Sequence, residues 1–527
     1  MILKALYDYY QILRDDPEVE IAEPGYSNAP VSHAINISFQ GELLDIISLA
    51  VLDQNGKERP RRMNVPEQIK RSLNIASNFL SDNPVYFLGL TDKEAKEPDY
   101  AKKRFEEFKK HNLSILCKVD SPIARAVSTF LENYNPDKSS EDPIIKSHLE
   151  SLLQGSNLIF QVEGKNAHDD PNIRRVWEDY HLGRDALEMQ CLVTGGIEPV
   201  ARLHPDIKGV PGAQTKGASL VSFNLDAFTS YCREQGLNSP ISRQVATGYG
   251  VALNYLLSNQ NPNRKIYFGD TTVVYWAETV DKRYSSTFYI LLNPEYQQND
   301  EPVEEAKDKR KRAKEAEKDL SELAENVKQG KAIDLRALSK ELEKDIRFYI
   351  LGLSPNASRL SIRFFLTEPF GRFAERIMQH YNDMQIEKEY SNQPTYISPY
   401  RILAECVSPK VTRRDEEVKK SFSLLGGSFL RSILLGTPYP EGLYTSILNR
   451  VRHDMDELYE NGKTRNVKIN YIRVSYIKAH LIRKYRLQGE NYLYKEALQM
   501  SLNESYTNPA YVLGRLFAVL EKTQQDA

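Results

Sequence analysis

RFYILGLSPNASRLSIRFF, residues 347–365, holds two strand-like runs on either side of Pro355-Asn356, and this spacing predicts a β-hairpin. From about residue 385 onward the pattern turns helical, so the hairpin closes the sheet-bearing part of the chain. The expected class is α+β: a large mixed N-terminal domain, 1–375, with antiparallel sheet elements, then a helical bundle, 385–527. Directly upstream, residues 301–346 are almost wholly charged and rich in Ala and Leu, with Glu305 to Lys309 and Asp308 to Arg312 at i,i+4. They read as one or two solvated helices inserted between packed segments.

The same alternation recurs near the start. AINISFQGELLDIISL alternates apolar and polar residues around Gly41 and reads as a second hairpin. Before it, Leu3, Leu6, Tyr7 and Tyr10 recur at helical spacing. After it, Pro60, Pro66 and the basic cluster Lys57, Arg59, Arg61 and Arg62 read as a loop. DYAKKRFEEFKKHNL is an amphipathic scaffold helix carrying Phe105 and Phe108 on one face. Between Val193 and Asn224, Gly195, Gly196, Gly209, Gly212 and Gly217 punctuate a polar stretch that runs into LVSF, expected as a buried strand.

A chain of 527 residues predicts two to four packed units at about 100–200 residues each, which excludes a small binding module. Cys117, Cys191, Cys232 and Cys406 are far apart, so neither a close-set zinc pair nor a disulfide scaffold can be read from them. No stretch approaches the roughly 20 apolar residues needed to cross a bilayer, so a cytoplasmic location and no membrane contact are expected. The net charge of −2 conceals an asymmetry: over 385–527, Lys and Arg outnumber Asp and Glu 21 to 16.

That surplus concentrates in one segment. Lys463, Arg465, Lys468, Arg473, Lys478, Arg483, Lys484 and Arg486 occur without an intervening acid, while Ile469, Ile472, Tyr476 and Leu481 can form an apolar face. Such a helix matches a polyanion, and Tyr471, Tyr476 and Tyr485 could stack on exposed bases. The competing reading is a solvated helix face, which normally carries interspersed acids. The basic, amide-rich stretch 61–78 could also supply phosphate contacts and base readers, since Asn and Gln pair with adenine edges. An exposed helix after a proline turn accounts for it equally well.

Two catalytic readings are weaker. GAQTKGAS, 212–219, lacks the lysine of a nucleotide-binding phosphate loop, because Ala218 follows the second glycine. Its glycines still let backbone approach a phosphate or base, with Gln214, Thr215 and Lys216 as donors; an ordinary turn is the alternative. Asp169, Asp170 and Glu178 could form a metal-dependent nuclease site. Asp170-Pro171-Asn172 is, however, a common helix start. A third class, a helical interaction protein using 301–346 as its partner surface, is also compatible with the sequence.

Five ordered blocks carry a resemblance. They are MILKALYDYY with PGYS at 24–27, VPEQIKRSLNIASNFLSDNPVYFLGL at 65–90, GAQTKGASLVSFN at 212–224, GDTTVVYWAE at 269–278 and LGLSPNASRLSIRFF at 351–365. Together they resemble the large subunit of the type I-C CRISPR Cascade surveillance complex, the Csd-type or Cas-eight-c family. Lys216 departs from the family pattern, which carries a small polar residue there.

The resemblance implies a non-catalytic subunit without metal or cofactor, acting in antiviral defence. It would sit at the foot of an RNA-guided complex beside the backbone and repeat-processing subunits, in contact with guide RNA. It would read the protospacer-adjacent motif in duplex DNA, help part the strands, and recruit a helicase-nuclease. On this reading Lys70, Arg71, Asn74, Asn78 and Asn83 are the first motif-contact candidates; Gln214, Thr215, Lys216 and Asn224 are the second. Lys468, Arg473, Lys478, Arg483, Lys484 and Arg486 would guide the heteroduplex or the displaced strand. The family also implies a small subunit translated from the C-terminal part of the same gene, for which Met378 and Met384 are candidate starts.

Overall fold

The computed structural model describes residues 1–17, 19, 21–52, 58–69, 71, 75–91, 99–139, 142–154, 156–183, 187–258, 262–293, 342–388, 390, 393–408, 418, 422–454, 457–458, 464–466, 468–488 and 496–526. These fall into two compact units. The first is Met1–Pro205 with Val221–Leu253, the second Asp206–Leu220 with Asn254–Ala527.

In the first unit, Tyr26–Ile37 is the organising strand. Its second half pairs antiparallel with Leu43–Ser48, as the alternation around Gly41 predicts. Gly41 has φ +78°, and a Cβ there would lie 2.8 Å from the Phe130 nitrogen, so turn conformation and close helix packing both demand glycine. On its other side Tyr26–Ile37 runs parallel to Asn157–Val162, which in turn pairs antiparallel with Ser81–Asp82.

The expected loop at 60–66 is instead the strand Arg61–Pro66, antiparallel to the first half of Tyr26–Ile37. The physical reason is the alternation of Met63 and Val65, which pack into a small core with Ala29, Val31 and Ile159. The two prolines bound the strand rather than breaking it.

Helices Tyr100–Leu116 and Pro122–Asn133 contribute to the core of this unit. Phe105, Phe108, Phe87 and Phe160 are fully buried, and the rings of Phe87 and Phe160 lie 4.2 Å apart. Each such side chain contributes about 1.5–3 kcal/mol through removal from water.

The second unit is built on a six-stranded sheet in the order Asp206–Ile207, Ala218–Ser219, Arg359–Pro369, Arg347–Asn356, Thr271–Ala277, Lys265–Phe268. The hairpin expected from 347–365 is its centre. Its turn puts Ala357 at φ +52°. Thr271–Ala277 is buried at every position, as befits a strand covered on both faces. LVSF does not continue the sheet: Ala218–Ser219 pairs there, and residues 220–223 are half-buried and irregular. The chain leaves this unit at Leu220, so no ladder forms.

Helix Phe370–Met384 follows the last strand without a break, and it runs through the expected 375–385 boundary. Phe373, Ile377, Met378 and Met384 share one hydrophobic core with strand residues Val273, Tyr275 and Ile350 and with helix residues Phe429, Ile433, Leu443 and Tyr476. Among the described residues the C-terminal part holds helices Gly427–Leu435, Glu441–His453, Tyr471–Gln488 and Pro509–Asp526, with a short antiparallel pair, Glu457–Leu458 and Thr464–Asn466. The fold is therefore α+β. Of the charged segment 301–346, residues 301–341 lie outside the described residues.

Candidate nucleic-acid interface

The first group of expected contacts lies on the chain between Pro66 and Pro84. Arg71, Asn78 and Asn83 are brought together around a carboxylate that sequence reasoning did not single out, Asp82, whose side chain is 1% exposed. Arg71 pairs with Asp82, donates from Nε to the Ala76 carbonyl at 2.6 Å, and lies 3.8 Å over the Tyr86 ring. Asp82 also accepts from the backbone N–H of Asn78 at 2.9 Å and of Asn83 at 2.7 Å. Burial pushes the Asp82 carboxyl up, opposed by Arg71 and by these two N–H groups.

Asn78 is buried, and its amide is occupied internally. Oδ1 accepts from the Ile69 N–H at 2.8 Å, while Nδ2 donates to Gln68 Oε1 at 2.9 Å. Gln68 reaches on to the Ser81 carbonyl and to Asn157, and Asn112 accepts from the Leu80 N–H. Asn83 caps the short helix Pro84–Phe87 by accepting from the Tyr86 N–H at 3.2 Å. These amides thus shape the loop from within. Its described outer surface carries Ile69 and Ile75, both exposed. Lys70 and Asn74 lie outside the described residues.

The second group sits on the glycine loop. Val210–Gly217 makes two successive turns, closed by Ala213 N–H to the Val210 carbonyl at 3.2 Å and Gly217 N–H to the Gln214 carbonyl at 2.9 Å. The loop base is pinned. Lys208 N–H donates to Asn254 Oδ1 at 2.7 Å, and Asn254 Nδ2 donates to the Asp206 carbonyl at 3.1 Å. Gly217 has φ +113°, and a Cβ there would lie 2.7 Å from that of Asp206. Gly212 packs beside Pro355, and Ser219 N–H donates to the Ser358 carbonyl at 3.0 Å, so the loop lies alongside the tip of the central hairpin.

The consequence is a rigid loop whose tip projects Gln214, Thr215 and Lys216 into solvent. On the hairpin, Ser354 and Arg363 both donate, at 2.9 and 3.0 Å, to Asp270, which sits in the turn between Lys265–Phe268 and Thr271–Ala277. Asn224, the fourth member of this group, is exposed and belongs to the other compact unit. Gly217→Val is expected to move the loop base: the variant should show faster backbone hydrogen exchange over 206–219 than the parent, and equal protection there would contradict the packing described.

The basic helix, described from Tyr471 to Gln488, presents its cations differently from the expected solvent-facing row. Arg473 is buried: Nε donates to Glu405 at 2.7 Å, one terminal nitrogen to Asp454 at 2.8 Å and the other to the Lys468 carbonyl at 2.9 Å. The Lys478 ammonium donates to the Gln385 carbonyl, and burial pushes its pKa down against the pull of Asp383. Arg483 donates to the Ser432 and Thr437 carbonyls and lies 4.1 Å over the Tyr439 ring.

Lys484 stands 3.4 Å from Glu441, and Arg486 pairs with Asp383. Lys468 is half-buried. The face turned to the core carries Tyr476 and Ala479, with Ile472 packed against it, while Ile469 is exposed.

For the nuclease reading, Asp170 Oδ1 caps helix Pro171–Gly183 through the N–H groups of Asn172 and Ile173, both at 3.0 Å, and Oδ2 accepts from Ser121. Asp169 accepts from Asn166 at 2.8 Å. Among the described residues no group of three or more His, Cys, Asp or Glu side chains could hold a metal ion. No described helix is long and apolar enough to cross a membrane.

Residues 6–527 match the family described as CRISPR-associated protein (Cas_Csd1), and the chain belongs to that family. It is thereby a type I-C Cascade large subunit. No curated protein matched the chain.

Proposed function

We propose that this Cascade subunit is non-catalytic, reads the protospacer-adjacent motif in duplex DNA, helps part the strands there, and recruits a helicase-nuclease. The observation that carries the reading is the exposed Gln214-Thr215-Lys216 tip on a loop pinned at both ends. A preformed tip loses little conformational freedom on entering a groove, and amide and hydroxyl groups suit base edges while Lys216 suits a phosphate. The loop 66–83, shaped by Asp82, is the second contact in this proposal, through its backbone and outer residues. The division of labour parallels other RNA-guided systems, in which protein reads a short duplex motif and base pairing reads the rest.

Its partners in this reading are guide RNA, the target duplex and displaced strand, the Cascade backbone and repeat-processing subunits, and a small subunit from the C-terminal part of the gene. A product starting at Met378 or Met384 would lose Phe373 and Ile377 from the shared core, leaving apolar surface that an assembled complex would cover. The test is purification of the tagged chain co-expressed with its gene cluster, followed by identification of the protein and RNA recovered. Guide RNA and backbone subunits are the expected company; full-length chain recovered alone and free of RNA would contradict the reading.

A further inference from the structure

The sheet edge of the first unit carries a feature the proposed function does not use. The chain leaves the edge after Ser48, forms the separate pair Val51–Leu52 with Glu58–Arg59 as a short arm, and returns to the sheet at Arg61. Arg59, Arg61 and Arg62 are all exposed at the root of this arm. The Arg61 side chain makes no hydrogen bond or ion pair among the described residues, and the Arg62 side chain gives one N–H to the Asn28 carbonyl at 3.4 Å. The residues facing them across the ladder, Val31 and Pro30, are uncharged.

We infer that Arg61 and Arg62 bind backbone phosphates of a nucleic acid, forming a sequence-independent contact separate from the glycine loop. Three observations converge on this. First, the cations are arginines, whose planar fork matches phosphate oxygens in pairs. Second, antiparallel pairing of Arg61–Pro66 with Tyr26–Val31 fixes the backbone, and alternation puts one guanidinium on each face of the strand. Third, the arginines of the basic helix are consumed by Glu405, Asp454, Asp383 and core carbonyls, whereas these two are exposed and form no ion pair among the described residues. Charges on an edge strand also discourage unwanted strand pairing, but either sign serves that purpose. Phosphate binding requires positive charge.

The test uses the full-length chain and a duplex of random sequence, titrated over a series of salt concentrations. R61E/R62E should weaken binding on the order of 100-fold at low salt, and R61Q/R62Q should make the log–log salt slope shallower by about 2. R61K/R62K should keep the parent slope, and all three should keep the parent melting curve. Parent-like affinity and slope in folded R61Q/R62Q, or failure of the parent to bind random duplex at low salt, would overturn the inference. If the arginine effect is present but the parent shows no sequence preference, motif reading fails and this contact stands.

Discussion

Arg473→Ala is expected to destabilise the C-terminal helices by about 3–5 kcal/mol, because it leaves the largely buried Glu405 carboxylate without its cation and Asp454 with Arg450 as its remaining partner. The argument turns on burial: the Arg473 side chain is 4% exposed, and Glu405 and Asp454 are 13% and 8% exposed. The readout is amide hydrogen exchange across Tyr471–Gln488, which isolates this region where a two-unit chain has no single unfolding transition. Protection should fall sharply. If Arg473 were instead a solvent-facing phosphate ligand, the variant would lose nucleic-acid affinity with protection unchanged, and that outcome would refute the internal role.

Asp82→Ala is expected to cost a similar amount, about 3–5 kcal/mol, in the first unit. It strands the Arg71 guanidinium against the Tyr86 ring and removes the acceptor shared by the N–H groups of Asn78 and Asn83. The loop between Pro66 and Pro84 should then become sensitive to limited proteolysis in the folded protein. Asn78→Ala should give a smaller effect of the same kind, about 1–3 kcal/mol, by leaving the Ile69 N–H without its acceptor and removing one of the two amide donors to Gln68 Oε1. Parent-like proteolysis in Asp82→Ala would show that the loop is held by something else.

The internal bonds of Arg473 and Asn78 differ from the nucleic-acid contacts expected of them, and the reason is physical. Sequence periodicity reports local pairing well: the hairpins around Gly41 and Pro355-Asn356 were legible because their alternation and their turn lie within about 20 residues. The exposed glycine-loop tip was legible for the same reason. An acid-free run of cations within one helix, by contrast, says nothing about acids arriving from elsewhere. The partners of Arg473 are 68 and 19 residues away, and that of Arg486 is 103.

Likewise, asparagines in a basic stretch look like base readers until the burial of Asn78 and the cap made by Asn83 are seen. The missed strand Arg61–Pro66 had a usable signal, the alternation of Met63 and Val65, masked by flanking prolines.

The central claim is that the loop tip at Gln214-Thr215-Lys216 reads a duplex motif. Its most direct test is selection of bound sequences from a randomised duplex pool by the purified complex, compared between the parent and the Gln214→Ala, Thr215→Ala, Lys216→Ala triple variant. The account predicts a short enriched motif for the parent. For the variant it predicts loss of that preference by about 10- to 100-fold, equivalent to ~1–3 kcal/mol of discrimination. Equal enrichment of the same motif by both proteins would contradict it.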